Sequence, residues 1–172
     1  MGEARNGSLS LGDIDNDGDL DLIVTGRESS PITRLYVNDG NANFTEVPNT
    51  PFSNMQFGST GFADIDNDGD LDVWITGSGF SFGRFAELYV NDGTGNFTLK
   101  PNTPLQLQSE GDFEFEDVDN DGDLDLLMTG YIDISTFDIG GHTTLYFNDG
   151  SGNFSAANSN FESLRASSIA FF

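Results

Sequence analysis

Cysteine is absent from the 172 residues, so no disulfide holds this fold together and none testifies to an oxidising compartment. Basic residues are almost as scarce. Six Lys and Arg stand against 29 Asp and Glu, and the formal net charge of −23 argues against nucleic acid or an anionic membrane surface as a partner. No apolar run approaches the eighteen residues of a membrane-spanning helix, so no membrane insertion is expected. The opening Met1-Gly2-Glu3-Ala4-Arg5-Asn6 has neither the basic nor the apolar region of a signal peptide, and Asn6 stands where a myristoylation motif wants Ser or Thr. A nucleophile elbow, a phosphate loop, a zinc motif and paired His and Cys are all missing, so catalysis is not expected. No segment sustains a helical period.

What the chain has in abundance is one acidic phrase. Asp13-Ile-Asp-Asn-Asp-Gly-Asp-Leu-Asp21 returns as residues 64–72 and, with Val for Ile, as residues 117–125. Five carboxylates in nine residues disfavour one another's ionised forms unless a cation sits among them. Fifteen aspartates are thereby assigned to metal: Asp13, Asp15, Asp17, Asp19 and Asp21; Asp64, Asp66, Asp68, Asp70 and Asp72; Asp117, Asp119, Asp121, Asp123 and Asp125. Positions 1, 3, 5 and 9 offer carboxylates, position 6 is the glycine of a tight turn, and position 7 offers its backbone carbonyl. Such an all-oxygen cage suits calcium, which accepts six to eight oxygens, better than magnesium, which demands near-ideal octahedral geometry. The expectation is three calcium ions per chain. An EF-hand is excluded, because its twelfth position is a Glu between helices, whereas Val24, Ile75 and Met128 stand there inside short apolar runs that read as buried strands.

A second phrase keeps step with the first. Leu35-Tyr-Val-Asn-Asp-Gly-Asn-Ala-Asn-Phe44 is matched by residues 88–97 and 145–154, and Asp-Gly between apolar segments is a strong hairpin signal. Recurrence of the first phrase after 51 and then 53 residues calls for a repeat architecture. Each repeat parses into four strands: one before the acidic loop (residues 9–12, 60–63 and 113–116), one after it, one carrying Leu-Tyr-Val or Leu-Tyr-Phe, and one starting at Asn-Phe. Four antiparallel strands per fifty-odd residues match a propeller blade, and the consecutive apolar residues of strand two fit a blade with both faces covered. The fold expected is therefore all-β, a single repeat domain over 1–172, with blades at about 8–58, 59–111 and 112–167 and a first-strand stub at 168–172.

With both phrases in hand, the chain resembles the FG-GAP and VCBS-type repeats of integrin α-subunit propellers and of many secreted bacterial proteins. The resemblance implies a β-propeller, structural rather than catalytic calcium, and surfaces used for adhesion or recognition, at the cell surface or outside the cell. Calcium loops of modest affinity also fill only where calcium is plentiful, which points to the same location. A protein or glycan ligand is expected, with a scaffold segment of a larger secreted enzyme and a lectin as the rival readings. Propellers close with roughly four to eight blades, so three blades read either as repeats cut from a longer array or as a short unit whose ring is completed by self-association, for which a homodimer would supply six.

Three further features carry less. Asn6, Asn43, Asn96 and Asn153 begin glycosylation-type triplets, but the last three share one repeat position where Asn has a turn role. His142, the only histidine, sits in the longest insertion, residues 131–144, with Asp133 and Asp138, and reads as a surface residue. Glu114 and Glu116 alternate with Phe113 and Phe115 on a strand in one repeat only.

Overall fold

Each acidic loop joins two short runs of β-forming residues, and each Asn-Asp-Gly turn joins two more, so the chain is driven into consecutive hairpins. The computed structural model describes residues 5–80, 83–105, 108–132, 141–158 and 161–162. Their secondary structure is strand alone. In order these are β1 (Leu9–Gly12), β2 (Asp21–Arg27), β3 (Pro31–Asn38), β4 (Phe44–Glu46), β5 (Thr60–Ala63), β6 (Asp72–Ser78), β7 (Arg84–Asn91), β8 (Phe97–Leu99), β9 (Gln108–Glu116), β10 (Asp125–Ile132), β11 (Gly141–Asn148) and β12 (Phe154–Ala156). No helix among the described residues is long and apolar enough to cross a membrane.

Three separate four-stranded antiparallel sheets follow chain order, β1-β2-β3-β4, β5-β6-β7-β8 and β9-β10-β11-β12. The register repeats from blade to blade: Leu22 lies opposite Leu11 and Tyr36, Val73 opposite Phe62 and Tyr89, and Leu126 opposite Phe115 and Tyr146. These are the propeller-like blades the sequence predicts. The sheets stand side by side, β5 against β1 and β2, and β9 against β6 and β7, without closing a ring.

Packing between blades explains the apolar runs. Val73, Ile75, Tyr89 and Phe97 of blade two meet Ile14, Ile23 and Leu35 of blade one. On its other face Trp74 and Leu88 join Phe113, Leu126, Met128, Tyr146 and Phe154 of blade three. Every residue of β6 is consequently buried, whereas β2 alternates, with Leu22 and Val24 only half-buried. Both faces of a blade are dry only where a neighbour stands on each side.

β9 begins earlier than the expected residue 113 because its pairing continues past an irregularity between Thr129 and Tyr131. The same position closes only as single bridges in the other blades, Arg5 with Arg27 and Gln56 with Ser78. At each of these kinks a residue with φ between +52° and +56° (Asn6, Phe57, Glu110) precedes a glycine, and a Cβ on Gly7, Gly58 or Gly111 would collide with the carbonyl oxygen of Thr25, Thr76 or Thr129. The kinks also join blades, since Phe57 N donates to Asn6 O at 2.8 Å and Glu110 N to Phe57 O at 2.7 Å. The expected stub at 168–172 and residues Asp133 and Asp138 lie outside the described residues.

Candidate metal centres

All three acidic loops fold by the same hydrogen bonds. The first aspartate closes the turn with both oxygens: Asp13 accepts from Asp17 N at 3.2 Å and Gly18 N at 3.0 Å, Asp64 from Asp68 N and Gly69 N, and Asp117 from Asp121 N and Gly122 N. The fifth position accepts from the seventh backbone amide, Asp17 from Asp19 at 2.9 Å, with Asp68 and Asp121 likewise. The sixth-position glycines have φ of +93° to +98°, which is why glycine stands there.

The ninth position ties each loop to its blade. Asp21, Asp72 and Asp125 are buried. One oxygen of each accepts from the second loop residue (Ile14 N 3.1 Å, Ile65 N 3.2 Å, Val118 N 3.1 Å), the other from the Asn that ends the third strand (Asn38 N 2.8 Å, Asn91 N 2.8 Å, Asn148 N 3.0 Å).

Carboxylate oxygens of Asp13, Asp15 and Asp17, of Asp64, Asp66 and Asp72, and of Asp117, Asp119 and Asp125 each gather within 4.8 Å of one another, and each trio could hold a metal ion. Positions 1 and 3 are thus brought together in every loop, joined by position 5 in the first loop and position 9 in the other two. The third-position carboxylate is the least committed in the hydrogen-bond scheme, drawing at most on the fifth-position backbone amide. Asp15 Oδ1 and Asp66 Oδ1 are buried without any hydrogen-bond donor, a costly state that a cation would relieve.

Electrostatics agree. Burial, with the charges of neighbouring loop aspartates added, raises the carboxyls of Asp15, Asp66 and Asp119 above their ordinary range. Burial pushes Asp72 up to about 7, against the lowering effect of its bonds from Asn91 and Ile65. Like charges held this close disfavour one another's ionised forms, a strain that a cation among them would relieve.

Position 7 has a role the sequence reading did not supply. Asp19, Asp70 and Asp123 belong to none of the trios, and their side chains lie against Gly40, Gly93 and Gly150 of the Asn-Asp-Gly turns, where a Cβ would strike the carboxylate. Asp70 Oδ1 accepts from Asn16 Nδ2 of the preceding loop at 2.8 Å, and Asp123 Oδ1 from Asn67 Nδ2 at 2.7 Å. A second link runs through the turn asparagines: Asn91 Nδ2 donates to Ile14 O in loop one (2.7 Å) and to Leu71 O in its own loop (3.2 Å), and Asn148 does the same for Ile65 and Leu124. The asparagines recur three times in both phrases, and that recurrence was the signal for them.

The triplet asparagines serve the turns. Asn43 and Asn153 donate to Asp39 and Asp149, and Asn96 donates to Asp92 and Thr94. Apart from the loops, an open groove of about 400 Å³ runs along the first strands, with Ser8, Ser10, Thr60, Asp112 and Glu114 in its wall. Burial, then the charges of Asp112 and Glu116, raises the Glu114 carboxyl.

Residues 7–75 match the family model of the FG-GAP-like repeat. That stretch runs from blade one through the second acidic loop into β6, and over it the chain carries an FG-GAP-type repeat. Comparison with curated proteins gives no match.

Proposed function

Starting from an FG-GAP-type repeat built into propeller-like blades, we propose that the chain is a calcium-stabilised module that works outside the cell as a non-catalytic surface for adhesion or ligand recognition. The observation that carries the metal half of this reading is the buried, donorless oxygen of Asp15 and Asp66 at the centre of a carboxylate trio. Asp13, Asp15, Asp17 and Asp21 and their equivalents would hold the ion, with the carbonyls of Asp19, Asp70 and Asp123. Bound calcium would supply the positive charge that these carboxylates lack and would accept coordination from their oxygens.

The chain's own residues prepare the site. Asp13 pins the loop to its own amides, and Asp21 pins it to the end of β3, so part of the loop's ordering cost is met before an ion binds. Modest-affinity oxygen cages fill where calcium is plentiful, which favours an extracellular setting. For recognition, the polar groove along the first strands offers hydroxyls and carboxylates to a ligand.

Ion counting by mass spectrometry on native protein should find three calcium ions per chain, and chelation should lower the melting temperature. Saturation near 100 times the dissociation constant adds about 2.7 kcal/mol per independent site. Fewer than two bound ions, or equal stabilisation by magnesium, would sink the calcium reading. A glycan array probed with calcium-loaded protein separates lectin from protein adhesion, and silence against glycans and extracellular proteins alike would leave a scaffold.

A further inference from the structure

Blade one faces its successor as blade two faces its own, and each of these two internal seams is made of the same parts. A trailing edge presents a second-position Ile and a fourth-position Asn from the acidic loop. A leading edge presents the seventh-position Asp, the turn Asn, and a glycine inside the turn. Ile14 is wholly buried, with Cδ1 3.6 Å from where a Cβ on Gly95 would sit, and Ile65 lies 3.1 Å from the same point on Gly152.

Among the described residues the two outward edges show the same parts without partners. Val118, the third copy of Ile14 and Ile65, is 39 % exposed, against 0 % and 1 %. Phe44 is 43 % exposed where Phe97 and Phe154 are 8 % and 6 %. Among the described residues Asn38 Nδ2 keeps its bond to Leu20 O, 3.2 Å, but lacks the second acceptor that Asn91 and Asn148 find in the preceding loop. Asp19 likewise lacks the donor that Asp70 and Asp123 receive.

The edges also differ from the internal seams in one matched pair. Val118 is smaller than Ile by the Cδ1 methyl that fills the internal seams. Ala42 replaces Gly95 and Gly152, adding one methyl at the point that this Cδ1 approaches. It does so at φ +62°, a conformation that costs an L-residue and is better suited to glycine. One edge has lost a methyl and the other has gained one.

From this complementarity we propose that the trailing edge of blade three docks on the leading edge of blade one in a second copy of the chain. Two such seams, related by a twofold axis, join the described blades of both copies, six in all, into a ring within the range in which propellers close. In each seam Val118 packs on Ala42, Asn120 donates to Asp19, and Asn38 donates to the Val118 carbonyl. The proposal rests on the propeller-like reading but not on the identity of the ligand.

The test is light scattering on calcium-loaded chain at micromolar concentration, with calcium binding measured on the same samples. Wild type should give twice the chain mass. Val118→Ile restores the residue found in the other two loops, so it should fold and bind calcium normally, yet its extra methyl meets Ala42 and should weaken association about tenfold per seam. Ala42→Gly/V118I rebuilds the internal pair and should restore the dimer. Asn120→Asp should weaken association by setting two carboxylates together, and adding Asp19→Asn should recover it. A monomeric wild type, a mass above two copies, a dimer indifferent to V118I, or a loss that A42G does not repair would overturn the seam. If three calcium ions still bind in that event, the metal reading survives it.

Discussion

Asp68 shows how much a single carboxylate is asked to do. It sits at position 5 of the second loop, and its Oδ1 accepts from Asp70 N at 3.0 Å. At saturating calcium Asp68→Ala should empty this loop while its neighbours still fill, because each cage draws its ligands from its own loop even though the asparagine links couple their affinities. Removing one of several crowded charges also relieves repulsion in the calcium-free state. The destabilisation should therefore be plain with calcium and small or reversed under chelation, and a melting curve equally depressed in both would mean that Asp68 acts through packing. The turn aspartates shift in the opposite sense from Asp15, Asp66, Asp72 and Asp119 of the loops. Asp92 is held below its ordinary 3.8 by its bonds from Thr94, and then from Asn96. Asp149 is held below it by Asn153. A lowered folded-state value means that these bonds stabilise the turns above the ordinary carboxylate pKa and are lost as pH falls through the folded one. Carboxyl NMR should show both titrating below 3.8, with Thr94→Ala raising Asp92 and leaving Asp149 unmoved; coincident midpoints near 3.8 in the wild type would refute it. The spacing alone pointed to the aspartates that gather into the three trios, but not to the task of position 7. A carboxylate's partner in the next blade lies some fifty residues away, beyond the reach of any local pattern.

Strands were legible because their signals are local. β-branched and apolar runs ending at Gly placed β2, β6 and β10, the positions just before the acidic loops placed β1 and β5, and three Asn-Asp-Gly turns placed the hairpins of β3 with β4, β7 with β8, and β11 with β12. The kink that lengthens β9 was not legible, since it depends on Phe57 and Glu110 adopting positive φ, which sequence preference argues against. Burial on both faces was expected of every second strand but holds throughout only for β6, because only blade two has a described blade on each side. Trp74 is the test of that sandwich. It packs edge-on to Phe113 across the blade two to blade three seam, centroids 6.2 Å apart, and its indole Nε1 is buried without an acceptor. Trp74→Ala should cost about 3–5 kcal/mol through the cavity it leaves. Trp74→Phe should cost much less, because it keeps most of the apolar surface and removes the orphaned N–H. Urea melts giving equal losses for the two would show that the indole nitrogen has a partner in solution.

At the scale of the whole molecule, the blades and their loops form one connected system. A blade contributes its own acidic loop and also the asparagine that holds the loop before it. Asn91 is the clearest case: its backbone amide serves Asp72 of loop two, and its side chain spans from Leu71 of loop two to Ile14 of loop one. The number of blades could be counted from the sequence, but this linkage could not, because Asn91 and Ile14 are 77 positions apart. Order imposed on one loop should therefore lower the ordering cost at the next, which is positive coupling between calcium sites. Asn91→Ala removes the side-chain bridge while leaving every carboxylate and the amide bond to Asp72 in place. Calcium affinity should fall at loops one and two and hold at loop three, with each lost hydrogen bond worth about 1 kcal/mol. Asn148→Ala should move the deficit to loops two and three. Site-resolved titration by NMR, following the amides of Gly18, Gly69 and Gly122, distinguishes the loops. A uniform loss at all three in either variant would mean that the asparagines stabilise the fold as a whole, and an unchanged loop one in Asn91→Ala would mean that the blades bind their ions independently.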